Sequence, residues 1–214
     1  MSAKIVRPGP GGKLSPEDLR EVSSAVAAGR TAVFPTDTVY GIGTTALVRA
    51  AARRLYDAKA REPMKPLPIL VHSPEEARRW VVWTPAAEAL AARFWPGPLT
   101  LVLPPTREGR RLAPAEFATL GIRVPAHPVI LALLEASGVP WASTSANLSG
   151  SPALKDGAAA VAAFERTVDF IVDAGTVGGR ESSVVDASGA RARILREGCL
   201  SREEVSDALG SRAE

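Results

Sequence analysis

The chain has 214 residues, 46% of them hydrophobic and 23% charged, with 18 Gly and 18 Pro, which is the profile of an ordinary globular protein rather than a disordered or fibrous one. Its 26 basic and 23 acidic side chains leave a net charge of +3, which excludes a histone-like polycation. The single cysteine, Cys199, excludes an intramolecular disulfide and a multi-cysteine zinc site.

Helix starts are legible in chain order. Ser15-Pro16-Glu17-Asp18, Ser73-Pro74-Glu75-Glu76 and Thr84-Pro85 each set a capping hydroxyl before a proline at the first helical position. They predict helices over 16–28, 74–81 and 85–94, the first stopped by Gly29. Helical periodicity also covers 49–58, 128–136 before Gly138, 156–165 and 202–209. Between these lie short apolar or β-branched runs at 31–34, 67–71, 100–103, 121–124, 141–143, 168–172, 183–185 and 192–195, which predict strands. Some connections hold a helix and others are too short for one, so the sheet is expected to mix parallel and antiparallel pairs. The fold class is α/β shading into α+β, a twisted mixed sheet flanked by helices. No linker-like stretch divides 1–214, which reads as a single domain. Apolar runs such as 68–71 and 129–134 fall far short of the roughly 20 residues that cross a bilayer. No apolar leader with a cleavage site opens the chain, so no membrane partner and a cytoplasmic location are expected.

Four polar segments follow apolar strands, the place where a sheet protein presents groups to a ligand. They are 34–43 (FPTDTVYGIG), 59–67 (KAREPMKPL), 121–125 (GIRVP) and 143–150 (STSANLSG). The last offers hydroxyls and an amide without charge, suited to phosphate oxygens or to the polar ends of an amino acid, or simply forms a Ser/Thr-rich turn. Segment 59–67 brings Lys59, Arg61 and Lys65 together in a chain that otherwise prefers Arg, while Pro63 and Pro66 discourage helix and central strand. Such cations stabilise charge on a transferring phosphoryl group, although a solvated basic loop has the same composition.

Formal motifs add less. Gly12-Lys13 lacks the spacing of a P-loop. Gly41-Ile42-Gly43-Thr44-Thr45-Ala46 satisfies the dinucleotide pattern G-x-G-x-x-A, but the acid about 20 residues on is Glu62, inside the Pro-rich cationic loop rather than at a strand end. His72 and His127 have no second ligand at metal-like spacing. No G-x-S-x-G elbow occurs, and the four tryptophans adjoin apolar segments as packing residues do.

Taken together, seven collinear blocks resemble the YrdC-like family of threonylcarbamoyl-adenylate synthases. They are PTDTVYGIG (35–43), KAREPMKPL (59–67), FWPGPLTLVLP (94–104), GIRVPAHP (121–128), STSANLSG (143–150), ESSVVD (181–186) and ILREG (194–198). The resemblance implies the YrdC-like fold and a nucleotidyltransferase that makes threonylcarbamoyl-AMP and pyrophosphate from L-threonine, bicarbonate or CO2, and ATP with Mg²⁺. The product would pass to a tRNA threonylcarbamoyl transferase complex for tRNA modification. It further implies a threonine pocket at Thr38, Arg123, Ser143 and Ser182, with Arg123 on the carboxylate, since a guanidinium fork matches a carboxylate. Nucleotide contacts would fall on Lys59, Arg61 and Lys65 for the phosphates, on Ser145 and Asn147, and on Thr119 and Arg196 near the adenosine, with Lys59 and Arg61 as the catalytic cations. Asp37 and Glu181 would either bind Mg²⁺ or cap loops. At 214 residues the chain resembles the short form without the second domain of longer members, and it carries Ser183 where Thr is commoner. His72 in PILVH aligns with no site residue. The reading of another class is a non-catalytic module that holds double-stranded RNA or tRNA on a cationic face, with Arg49, Arg53, Arg54, Arg78 and Arg79 on helices.

Overall fold

The structure, a computed structural model, describes residues 2–59, 67–112, 117–147 and 151–210, with the backbone alone for 57–59. Among them, seven helices flank one ten-stranded sheet. The strands are β1 (Lys4–Val6), β2 (Ala32–Phe34), β3 (Gly41–Thr45), β4 (Ile69–Leu70), β5 (Leu99–Leu103), β6 (Leu120–Arg123), β7 (Trp141–Ser145), β8 (Phe170–Val172), β9 (Ser183–Asp186) and β10 (Arg193–Arg196). The helices are α1 (Pro16–Ala27), α2 (Arg49–Lys59), α3 (Pro74–Trp80), α4 (Pro85–Phe94), α5 (Pro128–Ser137), α6 (Gly157–Phe164) and α7 (Arg202–Leu209).

The capping residues act as their sequence positions dictate. Ser15, Ser73 and Thr84 accept from the backbone N–H of Asp18, Glu76 and Ala87 at 3.0, 3.1 and 3.1 Å, satisfying donors that the first helical turn leaves without partners. Ser201 and Glu204 form a reciprocal capping box on α7. Gly138, at φ +63°, closes α5 in the left-handed conformation.

Strand order is β1-β8-β2-β3-β7-β4-β6-β5-β9-β10. Pairs β1/β8, β2/β8, β4/β6 and β5/β9 run parallel, and β2/β3, β3/β7, β4/β7, β5/β6 and β9/β10 antiparallel. The mixed sheet is therefore the one that the connection lengths require.

The alternation of side chains along each strand explains where a cavity opens. One face buries Leu99, Leu101, Leu103, Ile122, Val185 and Ile42 against Leu55 of α2, Trp80 of α3, Leu90 of α4, Phe164 of α6 and Val205 of α7. On the other face Phe34, Trp141, Phe170 and Leu70 pack beneath Val22 and Val26 of α1 and Ile130 and Leu133 of α5. Farther along this second face, β6, β5, β9 and β10 carry Gly121, Arg123, Thr100, Val102, Val184 and Leu195, which line a cavity instead of a core.

Three departures from the sequence pattern concern glycine, strand length and the first strand. The G-x-G-x-x-A stretch is no phosphate-binding turn: Gly41–Thr45 is a buried strand between β2 and β7. A Cβ on Gly41 would lie 2.7 Å from the Phe34 ring, and one on Gly43 2.9 Å from both that ring and the Ala142 carbonyl, so the glycines let Phe34 lie flat across β3. The predicted strand over 67–71 narrows to Ile69–Leu70. The unpredicted β1 pairs with β8.

Candidate active site

The cavity has a volume of about 600 Å³, within the range of small-molecule pockets. Of the expected site residues, Thr38, Arg123, Ser143, Ser182, Thr119, Ser145, Asn147 and Arg196 all line it. Arg61 and Lys65 lie outside the described residues, as does the side chain of Lys59, which ends α2. Leu67 and Pro68, which follow segment 60–66, line the cavity wall.

Arg123, at the end of β6, has a side chain only 7% exposed. Its Nε donates to the Gly97 carbonyl at 2.9 Å, Nη1 to Thr38 Oγ1 at 3.2 Å and Nη2 to Asp37 Oδ1 at 2.7 Å. A guanidinium has five N–H groups, so among the described residues two are left without an acceptor, one on each terminal nitrogen. Burial pulls Arg123 below its ordinary pKa, and the adjacent Asp37 carboxylate opposes that shift. Thr38 is fixed by a local turn in which Thr36 Oγ1 accepts the N–H groups of Thr38 and Val39 at 3.1 and 3.2 Å and lies 2.9 Å from Thr38 Oγ1. The sequence leaves Asp37 open as a metal ligand or a loop cap. The structure makes it the counter-ion of Arg123 and an acceptor for the Ala126 N–H at 2.9 Å.

The opposite wall comes from β9 and β10. Arg196 donates through Nε and Nη2 to the Ser182 carbonyl at 3.1 and 2.8 Å, through Nη2 to Ser182 Oγ at 3.3 Å, and through Nη1 to Glu181 Oε2 at 3.0 Å. Its guanidinium thus clasps the segment that carries Ser182. Ser182 Oγ also lies 3.0 Å from Thr100 Oγ1. Thr100 belongs to the site, and its one signal in the sequence is a hydroxyl in phase with the cavity face of an otherwise apolar strand. Ser183 turns the other way. Its buried hydroxyl donates to the Leu200 carbonyl at 2.7 Å and accepts from the N–H groups of Gly198 and Leu200 at 2.8 and 3.0 Å.

On the third wall, Ser143 N–H donates to the Pro68 carbonyl at 2.9 Å, and Ser145 Oγ donates to Asn147 Oδ1 at 2.8 Å. Asn147 Nδ2 holds the Ser151 carbonyl at 2.6 Å. The lining turns apolar towards Phe117, Val102, Val184 and Leu195, with Thr119 among them. His72 is no part of the cavity lining, and its Nδ1 lies 2.6 Å from Glu76 Oε2 at the start of α3.

The described lining residues offer no ready metal centre. Among the described residues no three His, Cys, Asp or Glu side chains come together. Glu181, the carboxylate among the described lining residues, is ion-paired with Arg196. No described helix is long and apolar enough to cross a membrane.

A family model named Sua5_yciO_yrdC and described as "Telomere recombination" matches residues 24–198. Threonylcarbamoyl-AMP synthase of Pyrococcus abyssi is 38% identical over 194 residues, covering 90% of this chain and 57% of its own length. The putative threonylcarbamoyl-AMP synthase of Mycobacterium leprae is 39% identical over 196 residues, 89% of each chain. The crystal structure of P. abyssi Sua5 complexed with L-threonine superimposes with a TM-score of 0.89 at 35% identity, over 100% of this chain and 62% of that one. The chain thus spans less than two thirds of the archaeal relative and nearly all of the mycobacterial one.

Proposed function

Because the chain belongs to the Sua5–YciO–YrdC family, we propose that it is an L-threonylcarbamoyladenylate synthase, a nucleotidyltransferase that serves tRNA modification. The observation that carries this reading is Arg123, a buried cation on the wall of a 600 Å³ cavity with, among the described residues, one N–H on each terminal nitrogen unengaged, in a lining shared with Thr38, Ser143 and Ser182. A buried guanidinium with two adjacent donors suits one carboxylate. The complex of the P. abyssi protein with L-threonine supports threonine as the amino acid taken here. Nucleotide would occupy the rest of the cavity, with Ser145, Asn147, Thr119 and Arg196 along it and Lys59, Arg61 and Lys65 on the phosphates. Its bonds to Ser182 and Glu181 leave Arg196, among the described residues, one N–H of its five for such a contact.

In the proposed reaction the neutral amine of L-threonine adds to CO2, supplied as such or from bicarbonate, and loses a proton to give a carbamate. A carbamate oxygen then attacks the α-phosphorus of ATP in line. The new bond joins that oxygen to phosphorus, the α–β phosphoanhydride bond breaks, and pyrophosphate leaves. Positioning of the three reactants and neutralisation of phosphate charge supply the catalysis. Mg²⁺ would enter with the triphosphate as part of the substrate, consistent with how that ion is usually held. The product would pass to a tRNA threonylcarbamoyl transferase complex, in the cytoplasm.

The test is pyrophosphate release measured with each reactant omitted in turn, with the product identified by mass spectrometry. Release that needs L-threonine, bicarbonate and ATP together, with a threonylcarbamoyl-AMP mass, is expected. Steeply salt-dependent RNA binding without turnover would favour a nucleic-acid-binding module and overturn the synthase reading.

A further inference from the structure

Arg123 reaches the cavity wall from a cage of three chain segments. Gly97 stands in the loop before β5, Thr38 and Asp37 in the loop between β2 and β3, and Ala126, which shares the Asp37 carboxylate, in the loop before α5. Two of the acceptors, the Gly97 carbonyl and Thr38 Oγ1, are neutral and bind Nε and Nη1. Two contacts define an axis about which a planar group can still pivot. The third contact, Nη2 to Asp37 Oδ1, stops that pivot, and at 2.7 Å it is the shortest of the three and the only one made to a carboxylate.

Asp37 exerts this effect from behind the site. It is not among the residues that line the cavity, and it meets that wall through Arg123. Its carboxylate works through one oxygen: Oδ1 accepts from both Arg123 and the Ala126 N–H, whereas Oδ2 is buried and has no hydrogen-bond partner among the described residues. A carboxylate serving only to neutralise charge would have no need of this one-sided arrangement, in which a backbone donor holds in place the very oxygen that meets Nη2.

We propose that Asp37 is a positioning residue for amino-acid binding, setting the rotation of the Arg123 guanidinium so that its two remaining N–H groups present together to the substrate carboxylate. The proposal rests on the reading of Arg123 as the carboxylate site. It makes the direction of the Asp37 oxygen matter more than its charge, and two substitutions separate these. Asp37→Asn keeps an acceptor at the Oδ1 position and loses the charge. Asp37→Glu keeps the charge and carries it one methylene farther.

The experiment is calorimetric titration of the full chain and both variants with L-threonine, with the affinity of a non-hydrolysable ATP analogue and the melting temperature measured alongside. Threonine affinity in Asp37→Asn is expected within about threefold of the unsubstituted chain, and in Asp37→Glu weaker by about 10- to 100-fold, the worth of a charged hydrogen bond. In turnover, the Glu variant should raise KM for threonine while leaving KM for ATP within about twofold, a split that general loosening of the fold would not give. The reverse ranking, equal loss in both variants, or no loss in either overturns the positioning role. If the unsubstituted chain binds no threonine, the amino-acid reading falls and the proposal with it; binding there with the variants misranked overturns the proposal alone.

Discussion

Replacing Ser183 by Ala removes one oxygen atom from a fully buried position, and the structure states what that oxygen does. It accepts from two backbone N–H groups, Gly198 and Leu200, and donates to the Leu200 carbonyl. A buried polar group left without a partner costs about 1–3 kcal/mol, and the vacated space, one hydroxyl in size, is too small to admit a compensating water. Two stranded donors and one stranded acceptor, with some relaxation of the turn, lead to a loss of about 3 kcal/mol. For a chain of this size that lowers the melting temperature by roughly 6–12 °C. The same turn is tied to the site wall by the Cys199 N–H bond to the Glu181 carbonyl, 2.9 Å, so the KM for ATP should also rise. Thermal unfolding followed by circular dichroism measures the first effect. A melting temperature within about 2 °C of the unsubstituted protein would refute the assignment of Ser183 as the hub that fastens β9 to the turn after β10.

Three further outcomes follow from the same contacts. Arg123→Met strands the Asp37 carboxylate beside a thioether; stability by denaturant titration should fall by about 3–5 kcal/mol, and threonine-dependent pyrophosphate release should vanish. Gly41→Ala forces the Phe34 ring to move, so the protein should lose about 1–3 kcal/mol, and because Phe34 lines the cavity, substrate KM should change with it. His127 caps α5 through Nδ1, and burial holds its pKa below the ordinary imidazole value near 6.5, against the pull of Asp37. The unfolded chain therefore binds this proton more readily than the fold does, and the fold loses stability as pH falls below about 6.5. His127→Asn, which keeps a capping acceptor, should flatten that acid-side decline in a series of melts between about pH 7 and 5; an unchanged slope would contradict the buried imidazole.

How much of this was legible in the sequence depends on where the deciding interaction lies. Helix starts were readable because a cap is local: Ser15, Ser73 and Thr84 hold N–H groups three residues away. Strand β3 was not, because Gly-Ile-Gly-Thr-Thr has little of the side-chain bulk that marks a strand, and its glycines answer to Phe34, seven and nine residues earlier. The polar cavity residues were found because they stand in loops after strands or resemble a known pattern. The partnerships of Asp37 with Arg123, 86 residues apart, and of Thr100 with Ser182, 82 apart, were invisible until the sheet brought β5, β6 and β9 side by side. Arg196 shows the same limit, since composition cannot reveal that its guanidinium clasps Ser182.

A crystal structure of the protein with L-threonine and a non-hydrolysable ATP analogue tests the central claim most directly. The account predicts the threonine carboxylate on the two remaining N–H groups of Arg123 at about 2.7–2.9 Å, with the α-phosphate in the same cavity and facing the threonine nitrogen. Threonine bound elsewhere, or a nucleotide that occupies the Arg123 end itself, would contradict it.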